Sequence, residues 1–185
     1  MQIGFYFNQT RCTGCAACQV ACKDWNDIPA GPEKWMRIGY IEKGEYPQVF
    51  VAYWVETCYH CQDPVCVAAC PAKAIRKREE DGIVIVDRKA CLGKEPCGAK
   101  CLKACPYDAP QFGPEEKAKM GKCDFCLERR LKGQAPVCVE ACPTRALEAG
   151  PLEELLEKYG PGQEAEGFKY STRTKPAMVF KGKTP

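Results

Sequence analysis

Four cysteines near the start of the chain are spaced closely enough to act as one set of ligands. They lie in "RCTGCAACQVACKDW", residues 11–25, with only small or polar spacers between them. Thiols in such a pattern can hold iron–sulfur clusters, bind structural zinc or pair as disulfides. The chain has 16 cysteines in 185 residues, so one of these chemistries must dominate its structure.

The cysteines recur as four quartets, and in every quartet three residues separate the last two members. Proline follows the last cysteine of three quartets, in "CPAKAI", "CPYDAP" and "CPTRAL". We expect each closing segment to form the first turn of a short helix, which the proline can interrupt. The quartets are Cys12, Cys15, Cys18 and Cys22; Cys58, Cys61, Cys66 and Cys70; Cys91, Cys97, Cys101 and Cys105; and Cys123, Cys126, Cys138 and Cys142.

The spacing distinguishes among the three chemistries. Disulfides belong to exported chains, and no apolar leader precedes Cys12, while bridges between such close neighbours would be strained. Zinc sites usually include histidines, and His60 is the single histidine of the sequence. The C-x-x-C-x-x-C-x-x-x-C-P pattern is instead the signature of bacterial ferredoxins, whose thiolates hold 4Fe–4S clusters. The pattern therefore predicts iron–sulfur clusters, with zinc as the alternative.

Composition excludes several other classes of protein. The net charge is +3, from 27 basic and 24 acidic side chains, without the basic stripe of a nucleic-acid binder. The longest apolar stretch, residues 49–55, is too short to span a bilayer. Walker loops, dinucleotide fingerprints and Ser/His/Asp arrangements are absent from the sequence, which argues against catalysis by this chain. Because thiols supply much of the apolar content, we expect clusters to replace part of the core.

The order of the quartets suggests how they pair. In two-cluster ferredoxins the fourth cysteine of each run ligates the other cluster. Between the second and third quartets, "AIRKREEDGIVIVD" predicts the β-hairpin of such a module, with its turn at Asp81-Gly82. These two quartets then form an inner module nested between the first and fourth. The expected ligand sets are Cys12, Cys15, Cys18 and Cys142; Cys22, Cys123, Cys126 and Cys138; Cys58, Cys61, Cys66 and Cys105; and Cys70, Cys91, Cys97 and Cys101.

The predicted fold class is α+β, with two nested ferredoxin-like modules, an inserted β segment and an extended C-terminal tail. The insert contains "WMRIGYIEKGEYPQVFVAYWVE", which predicts two strands joined through Gly44 and Pro47. "PLEELLEKYG" predicts a short helix that ends at Gly160. The expected divisions are an outer module over 1–22 and 106–150, the insert over 23–57, the inner module over 58–105, and a C-terminal helix and partner-binding tail over 151–185.

Aromatic residues in the insert and the tail indicate contact with another protein. Six of these side chains would be hard to bury in a lone chain of this kind. We therefore expect both segments to lie on a larger partner. The six residues are Trp35, Tyr40, Tyr46, Phe168, Tyr170 and Phe180.

Taken together, these motifs resemble the four-cluster iron–sulfur subunit of the dimethyl sulfoxide reductase family. The likeness is carried by "FNQTRCTGCAACQVACKDWND", "CYHCQDPVCVAACPAKAI", "CPYDAPQF" and "KCDFCLERRLKGQAPVCVEACPTRAL". Such subunits serve molybdenum or tungsten bis-pyranopterin oxidoreductases. The chain is also similar to the polyferredoxin-like small subunit of some tungsten aldehyde oxidoreductases.

The resemblance implies a non-catalytic electron-transfer subunit with four 4Fe–4S clusters. Its partners would be a large molybdenum- or tungsten-pterin catalytic subunit and a further redox subunit, a ferredoxin or a membrane anchor. The alternative is a polyferredoxin-type shuttle or a hydrogenase-linked iron–sulfur subunit. The lack of a leader favours a cytoplasmic complex, and export on a partner's twin-arginine signal stays open.

The third quartet departs from the family pattern. Five residues separate Cys91 from Cys97, and Lys94 stands where a second thiol is expected. All four thiols remain, so we expect a 4Fe–4S cluster there, with a three-iron cluster as the alternative.

Two other groups of polar residues have competing interpretations. His60 lies between two cysteines and could donate a hydrogen bond toward sulfur, although packing or a backbone hydrogen bond is the simpler role. Ligation by His60 is not expected, since the thiols already suffice. Arg129, Arg130 and Lys132 could dock a partner or offset cluster charge, or they could form an ordinary solvated face.

Overall fold

Short helices and small sheets make up residues 1–184, the part of the chain that the computed structural model describes. The longest helix has nine residues and the longest strands have eight, which confirms the predicted mixture of small α and β elements. The strands are β1 (Ile3–Asn8), β2 (Met36–Lys43), β3 (Phe50–Thr57), β4 (Ile75–Lys77), β5 (Val84–Val86), β6 (Leu147–Pro151) and β7 (Met178–Lys181). The helices are α1 (Ala17–Trp25), α2 (Val65–Ala69), α3 (Lys94–Cys97), α4 (Lys100–Ala104), α5 (Leu127–Leu131), α6 (Val137–Glu140) and α7 (Leu152–Tyr159).

Strand β1 is the centre of a three-stranded sheet and has β6 and β7 as its neighbours. It runs antiparallel to β6, with Phe7 opposite Leu147, and parallel to β7, with Phe5 opposite Met178. All six residues of β1 are buried. Its sequence, IGFYFN, lacks the alternation of a half-exposed strand because both of its faces are covered.

The tail after Gly160 folds back onto the chain itself. Phe168 and Phe180 are 8% and 3% exposed, and their ring centroids lie 4.3 Å apart. Both belong to the hydrophobic core that also contains Phe7. The expectation that these two rings need a partner for burial is therefore wrong. The pairing of β7 with β1, across most of the chain length, draws the tail into the core.

The inserted segment forms the predicted two-stranded hairpin. Strands β2 and β3 are antiparallel from Met36 opposite Thr57 to Lys43 opposite Phe50. Two of its aromatic side chains are open to solvent: Tyr40 on β2 is 66% exposed and Tyr46 in the turn is 92% exposed. These two aromatic residues lie on the surface as expected, whereas Trp35 and Tyr170 are half-buried against the main core.

Two further predictions from local sequence are confirmed. Strands β4 and β5 form an antiparallel hairpin around Asp81-Gly82, and the Asp81 carboxylate accepts hydrogen bonds from the Ile83 amide at 3.1 Å and the Arg78 guanidinium at 3.0 Å. Helix α7 covers residues 152–159 and is followed by Gly160 at φ 78°, a conformation that favours glycine.

Candidate metal centres

The loop that opens each cysteine quartet has a positive φ angle at one repeated position. The second residue after the first cysteine has positive φ in all four quartets: Gly14 at 72°, His60 at 45°, Gly93 at 97° and Phe125 at 65°. A left-handed residue reverses the chain within one turn, and non-glycine residues adopt it at a cost of about 1–2 kcal/mol. The unusual third quartet thus shares a positive φ at this position, although Gly93 has an extended ψ of 172° and Lys94 replaces the expected thiol.

The closing segment of each quartet places a cysteine on a short helix. Cys18 and Cys22 lie on α1, Cys66 on α2, Cys101 on α4 and Cys138 on α6. The predicted association of these segments with helices is confirmed. Since side chains three or four residues apart share one helix face, α1 presents its two thiols on the same side.

Twelve of the sixteen thiols line three enclosed and largely apolar cavities of similar size, between about 300 and 370 Å³ with their open mouths included. Each cavity takes three cysteines from one quartet and the last cysteine of another. The Cys12 cavity has Cys12, Cys15, Cys18 and Cys142; the Cys58 cavity has Cys58, Cys61, Cys66 and Cys105; and the Cys91 cavity has Cys70, Cys91, Cys97 and Cys101.

The remaining four cysteines form a second type of group, which we call the Cys22 group: Cys22, Cys123, Cys126 and Cys138. All four are buried. Cys123 and Cys138 are so enclosed that burial raises the pKa of each well above its usual range, and the nearby Cys22 raises both further. Packing of α1 against α6 brings Cys22 and Cys138 together.

Hydrogen-bond donors point at several of the sulfur atoms. The Phe125 amide lies 3.4 Å from Cys123 Sγ, the Ala146 amide lies 3.2 Å from Cys142 Sγ, and Asn26 Nδ2 lies 3.7 Å from Cys22 Sγ. Donors in such positions stabilise a thiolate relative to a thiol. The surroundings of the sulfurs therefore suit metal-bound thiolates.

The protonation of the free thiols varies with burial. Burial raises the pKa of Cys18, Cys22, Cys61 and Cys66 to about 12, so these thiols hold their protons at neutral pH. At Cys142 burial acts in the same direction, but hydrogen bonds from the Thr144 hydroxyl and nearby amides outweigh it and lower the pKa. Because metal ligands must be deprotonated, metal loading must release protons from the buried thiols.

The thiols surround cavities rather than a point. Among residues 1–184, no three histidine, cysteine, aspartate or glutamate side chains converge closely enough to hold a single metal ion.

His60 has the simpler of its two predicted roles. It is fully buried, its Nδ1 accepts a hydrogen bond from the Val84 amide at 3.0 Å, and its ring packs edge-on against Phe125 at 5.3 Å between centroids. It does not line the Cys58 cavity. The residue joins the second quartet to strand β5, and burial lowers its pKa well below the usual range.

The basic residues beside the fourth quartet have carboxylate neighbours. Arg129 pairs with Glu140 at 2.6 Å, and Lys132 pairs with Glu128 at 2.7 Å. Arg130 lies 3.9 Å from Asp81. These contacts favour a locally neutralised surface over a free basic patch.

Comparison with known proteins decides the family. Two family profiles, each described as a 4Fe-4S dicluster domain, match residues 49–152 and 11–74. The chain is 43% identical over 189 residues to the probable anaerobic dimethyl sulfoxide reductase chain YnfG of Escherichia coli (strain K12), an alignment that covers 97% of this chain and 88% of the relative. It is 41% identical, with the same coverage, to the B subunit of the anaerobic dimethyl sulfoxide reductase of that strain. This chain belongs to the dimethyl sulfoxide reductase family of iron–sulfur subunits.

Other relatives extend this family. The formate dehydrogenase-O iron-sulfur subunit of Escherichia coli (strain K12) is 35% identical over 163 residues, which cover 79% of this chain and 52% of the relative. As a dimethyl sulfoxide reductase-type iron–sulfur subunit, the protein binds 4Fe–4S clusters, transfers electrons and is not the catalytic subunit. Within residues 1–184, none of the helices combines the length and apolar character that a membrane span requires.

Two residues that line a thiol cavity of this iron–sulfur subunit lie outside the cysteine motifs. Lys122 and Thr174 both line the Cys58 cavity, and both are buried. Lys122 directly precedes Cys123, which was a usable signal, although a lysine beside a loop cysteine is ordinarily solvent-exposed. Thr174 lies in the tail, far from any cysteine in sequence, and offers no such signal.

Proposed function

We propose that the chain carries four 4Fe–4S clusters and passes electrons between a pterin-dependent catalytic subunit and an external donor or acceptor. The observation that carries this proposal is the exchange of the last cysteines. Cys142 lines the Cys12 cavity, Cys105 lines the Cys58 cavity and Cys70 lines the Cys91 cavity. This exchange is the ligand pattern of paired ferredoxin motifs and supports the two nested modules.

The donor set fits such clusters in kind and in number. The three cavities and the Cys22 group would each supply four thiolates, and together they use all sixteen cysteines. When bound, a cluster provides a site that accepts or releases one electron. The chain holds the sulfurs in place, supplies N–H donors to them and surrounds them with apolar side chains that limit access of water.

The partner is proposed from the nature of the relatives. Both dimethyl sulfoxide reductase relatives are components of a multi-subunit reductase by name and align with 97% of this chain, which favours a fixed subunit over a free shuttle. We assign it a large catalytic subunit that holds a molybdenum or tungsten pterin. The β2–β3 hairpin, with the exposed Tyr40 on β2 and Tyr46 in its turn, is the segment we expect on that partner.

Iron and sulfide analysis tests the cluster count. The anaerobically purified chain should contain about sixteen iron and sixteen acid-labile sulfide, since four thiolates hold each four-iron cluster. The measurement is iron and sulfide per chain, calibrated by amino-acid analysis. About eight iron would leave room for only one pair of clusters and would contradict the proposal, whereas about fifteen would indicate one three-iron cluster.

The substitution Cys22→Ser tests the exchanged pairing. We expect it to perturb or empty the cluster of the Cys22 group, with a loss of up to about four iron, because that cluster would lose one of four thiolates. The cluster of the Cys12 cavity should keep its spectrum, although Cys22 is a neighbour of Cys18 in sequence. Electron paramagnetic resonance of the reduced protein measures both.

Cys15→Ser is the matched control, since Cys15 belongs to the same quartet and lines the Cys12 cavity. It should perturb the signal that Cys22→Ser leaves intact. If both substitutions altered the same signal, the first quartet would serve a single cluster and the nested pairing would be wrong.

A further inference from the structure

Lys122 is a buried cation whose side chain has no carboxylate partner within the described part of the chain. It is 3% exposed, and among residues 1–184 no carboxylate lies within ion-pair distance of its Nζ. The ammonium group donates to the carbonyl oxygens of Val84 and Cys123. Two of its three donors are thereby used.

The position of Lys122 shows where its counter-charge must come from. The side chain lines the Cys58 cavity together with the four thiols of that cavity. An unpaired buried charge is strongly unfavourable, and buried ions are normally paired with an opposite charge. Four thiolates around a 4Fe–4S cluster carry the opposite charge and face the same cavity.

The contacts of Lys122 also connect two of the thiol sets. Cys123, whose carbonyl oxygen lies 2.8 Å from Nζ, belongs to the Cys22 group. Burial has the largest effect on the pKa of the Cys123 thiol, which it raises, and the nearby Cys58 raises that pKa further. Lys122 therefore lies where the Cys58 cavity adjoins the Cys22 group.

The other contact of Lys122 holds it rigidly. The Val84 carbonyl oxygen accepts a hydrogen bond from the Lys122 ammonium group. The Val84 amide donates a hydrogen bond to His60 Nδ1 at 3.0 Å. Val84 itself lines the Cys58 cavity. One residue of β5 thus fixes both the histidine and the lysine, so the ammonium group cannot swing out to solvent without breaking this bridge.

We propose that Lys122 compensates the charge of the cluster in the Cys58 cavity and raises its reduction potential. Each electron that enters the cluster adds one negative charge, which a fixed neighbouring cation stabilises. Lys122 thereby favours an electron on the Cys58-cavity cluster at the junction with the Cys22 group. This inference rests on the proposed function, because it needs a cluster in that cavity.

The test removes the positive charge of Lys122 and measures the reduction potential of the Cys58-cavity cluster. In Lys122→Met, the ratio of reduced to oxidised Cys58-cavity cluster at a fixed applied potential should fall at least tenfold, a downward shift of about 59 mV for one electron. In Lys122→Arg, which keeps the positive charge, the potential of this cluster should remain closer to that of the parent protein. Dithionite titration of the full chain followed by electron paramagnetic resonance gives the potentials, and Cys61→Ser identifies the signal.

Lys119→Met is the matched control. Lys119 also binds a cysteine carbonyl oxygen, that of Cys91, but it does not line the Cys58 cavity. Its replacement should leave the potential of the Cys58-cavity cluster unchanged. A similar shift in Lys119→Met would indicate a general effect of net charge and would overturn the specific role of Lys122.

The remaining outcomes also decide the proposal. Loss of this one cluster in Lys122→Met but not in Lys122→Arg would support charge compensation as a condition for binding. Equal loss of the cluster in both variants would contradict the proposal. So would a full set of clusters with unchanged potentials in Lys122→Met, because the positive charge of Lys122 would then have no effect on the cluster. A parent protein without a cluster in this cavity would contradict the proposed function instead, and the iron count distinguishes that failure.

Discussion

Removal of iron under anaerobic conditions is expected to abolish most of the ordered structure of the chain. The longest helix has nine residues, and isolated helices shorter than about 12–15 residues are marginal in water. Strands β4 and β5 have three residues each, too few for an independent hairpin. Residues of α2 and β5 line the Cys58 cavity, so an iron-free chain loses groups that help to hold such short elements together.

Circular dichroism measures this collapse. The far-ultraviolet signal should fall to a minor part of its parental value after chelation, and iron with sulfide under reducing conditions should restore it. The part most able to persist is the sheet of β1, β6 and β7 with α7, whose cluster of Tyr6, Leu152, Leu155, Ala177 and Val179 contains no cysteine. A native spectrum in the iron-free chain would show that the protein core suffices without clusters.

Deletion of residues 161–185 is expected to destabilise the iron–sulfur subunit itself and to lower its iron content. The deletion removes β7, leaving β1 without its parallel neighbour, and removes the buried Phe168 and Phe180 from the main core. It also removes Thr174 from the wall of the Cys58 cavity. Iron per chain and the visible absorption of the purified truncated protein measure the effect.

Two neighbouring substitutions isolate the contribution that buried side chains of the tail make to the stability of the fold. Phe168→Ala should lower the free energy of unfolding by about 3–5 kcal/mol, the usual cost of truncating a buried phenylalanine. Lys169→Ala alters an exposed side chain and should change the free energy of unfolding by no more than about 0.5 kcal/mol. If the truncated chain kept full absorption and Phe168→Ala matched Lys169→Ala, the tail would be dispensable for the fold and free to serve a partner alone.

Local sequence predicted the elements whose signals lie within a few residues. The turn at Asp81-Gly82, the hairpin through Gly44 and Pro47, and the helix before Gly160 all depend on turn or capping residues adjacent to the element. The cysteine quartets are equally local, because each thiol set begins with one tight loop. Short-range spacing was therefore enough to indicate the clusters and their family.

The central sheet could not be predicted in this way. The partners of β1 lie 140 or more positions away, since Phe7 faces Leu147 at the nearest register, and no turn residue signals such a pairing. The four residues of β7 follow a polar, proline-containing segment that is typical of a loose tail. Burial of Lys122 has a related cause: the Cys58 cavity around it is assembled from the second quartet, the last cysteine of the third quartet, strand β5 and the tail.

The parallel pairing of β1 with β7 has a consequence for the biosynthesis of the subunit. Strand β1 leaves the ribosome long before β7, and Met178–Lys181 must be translated before its sheet is complete. At about 5–20 residues per second, the 170 positions from Asn8 to Met178 correspond to roughly 10–35 s. Throughout that interval one edge of the apolar first strand has no parallel neighbour, and an unpaired strand edge is open to association with other chains.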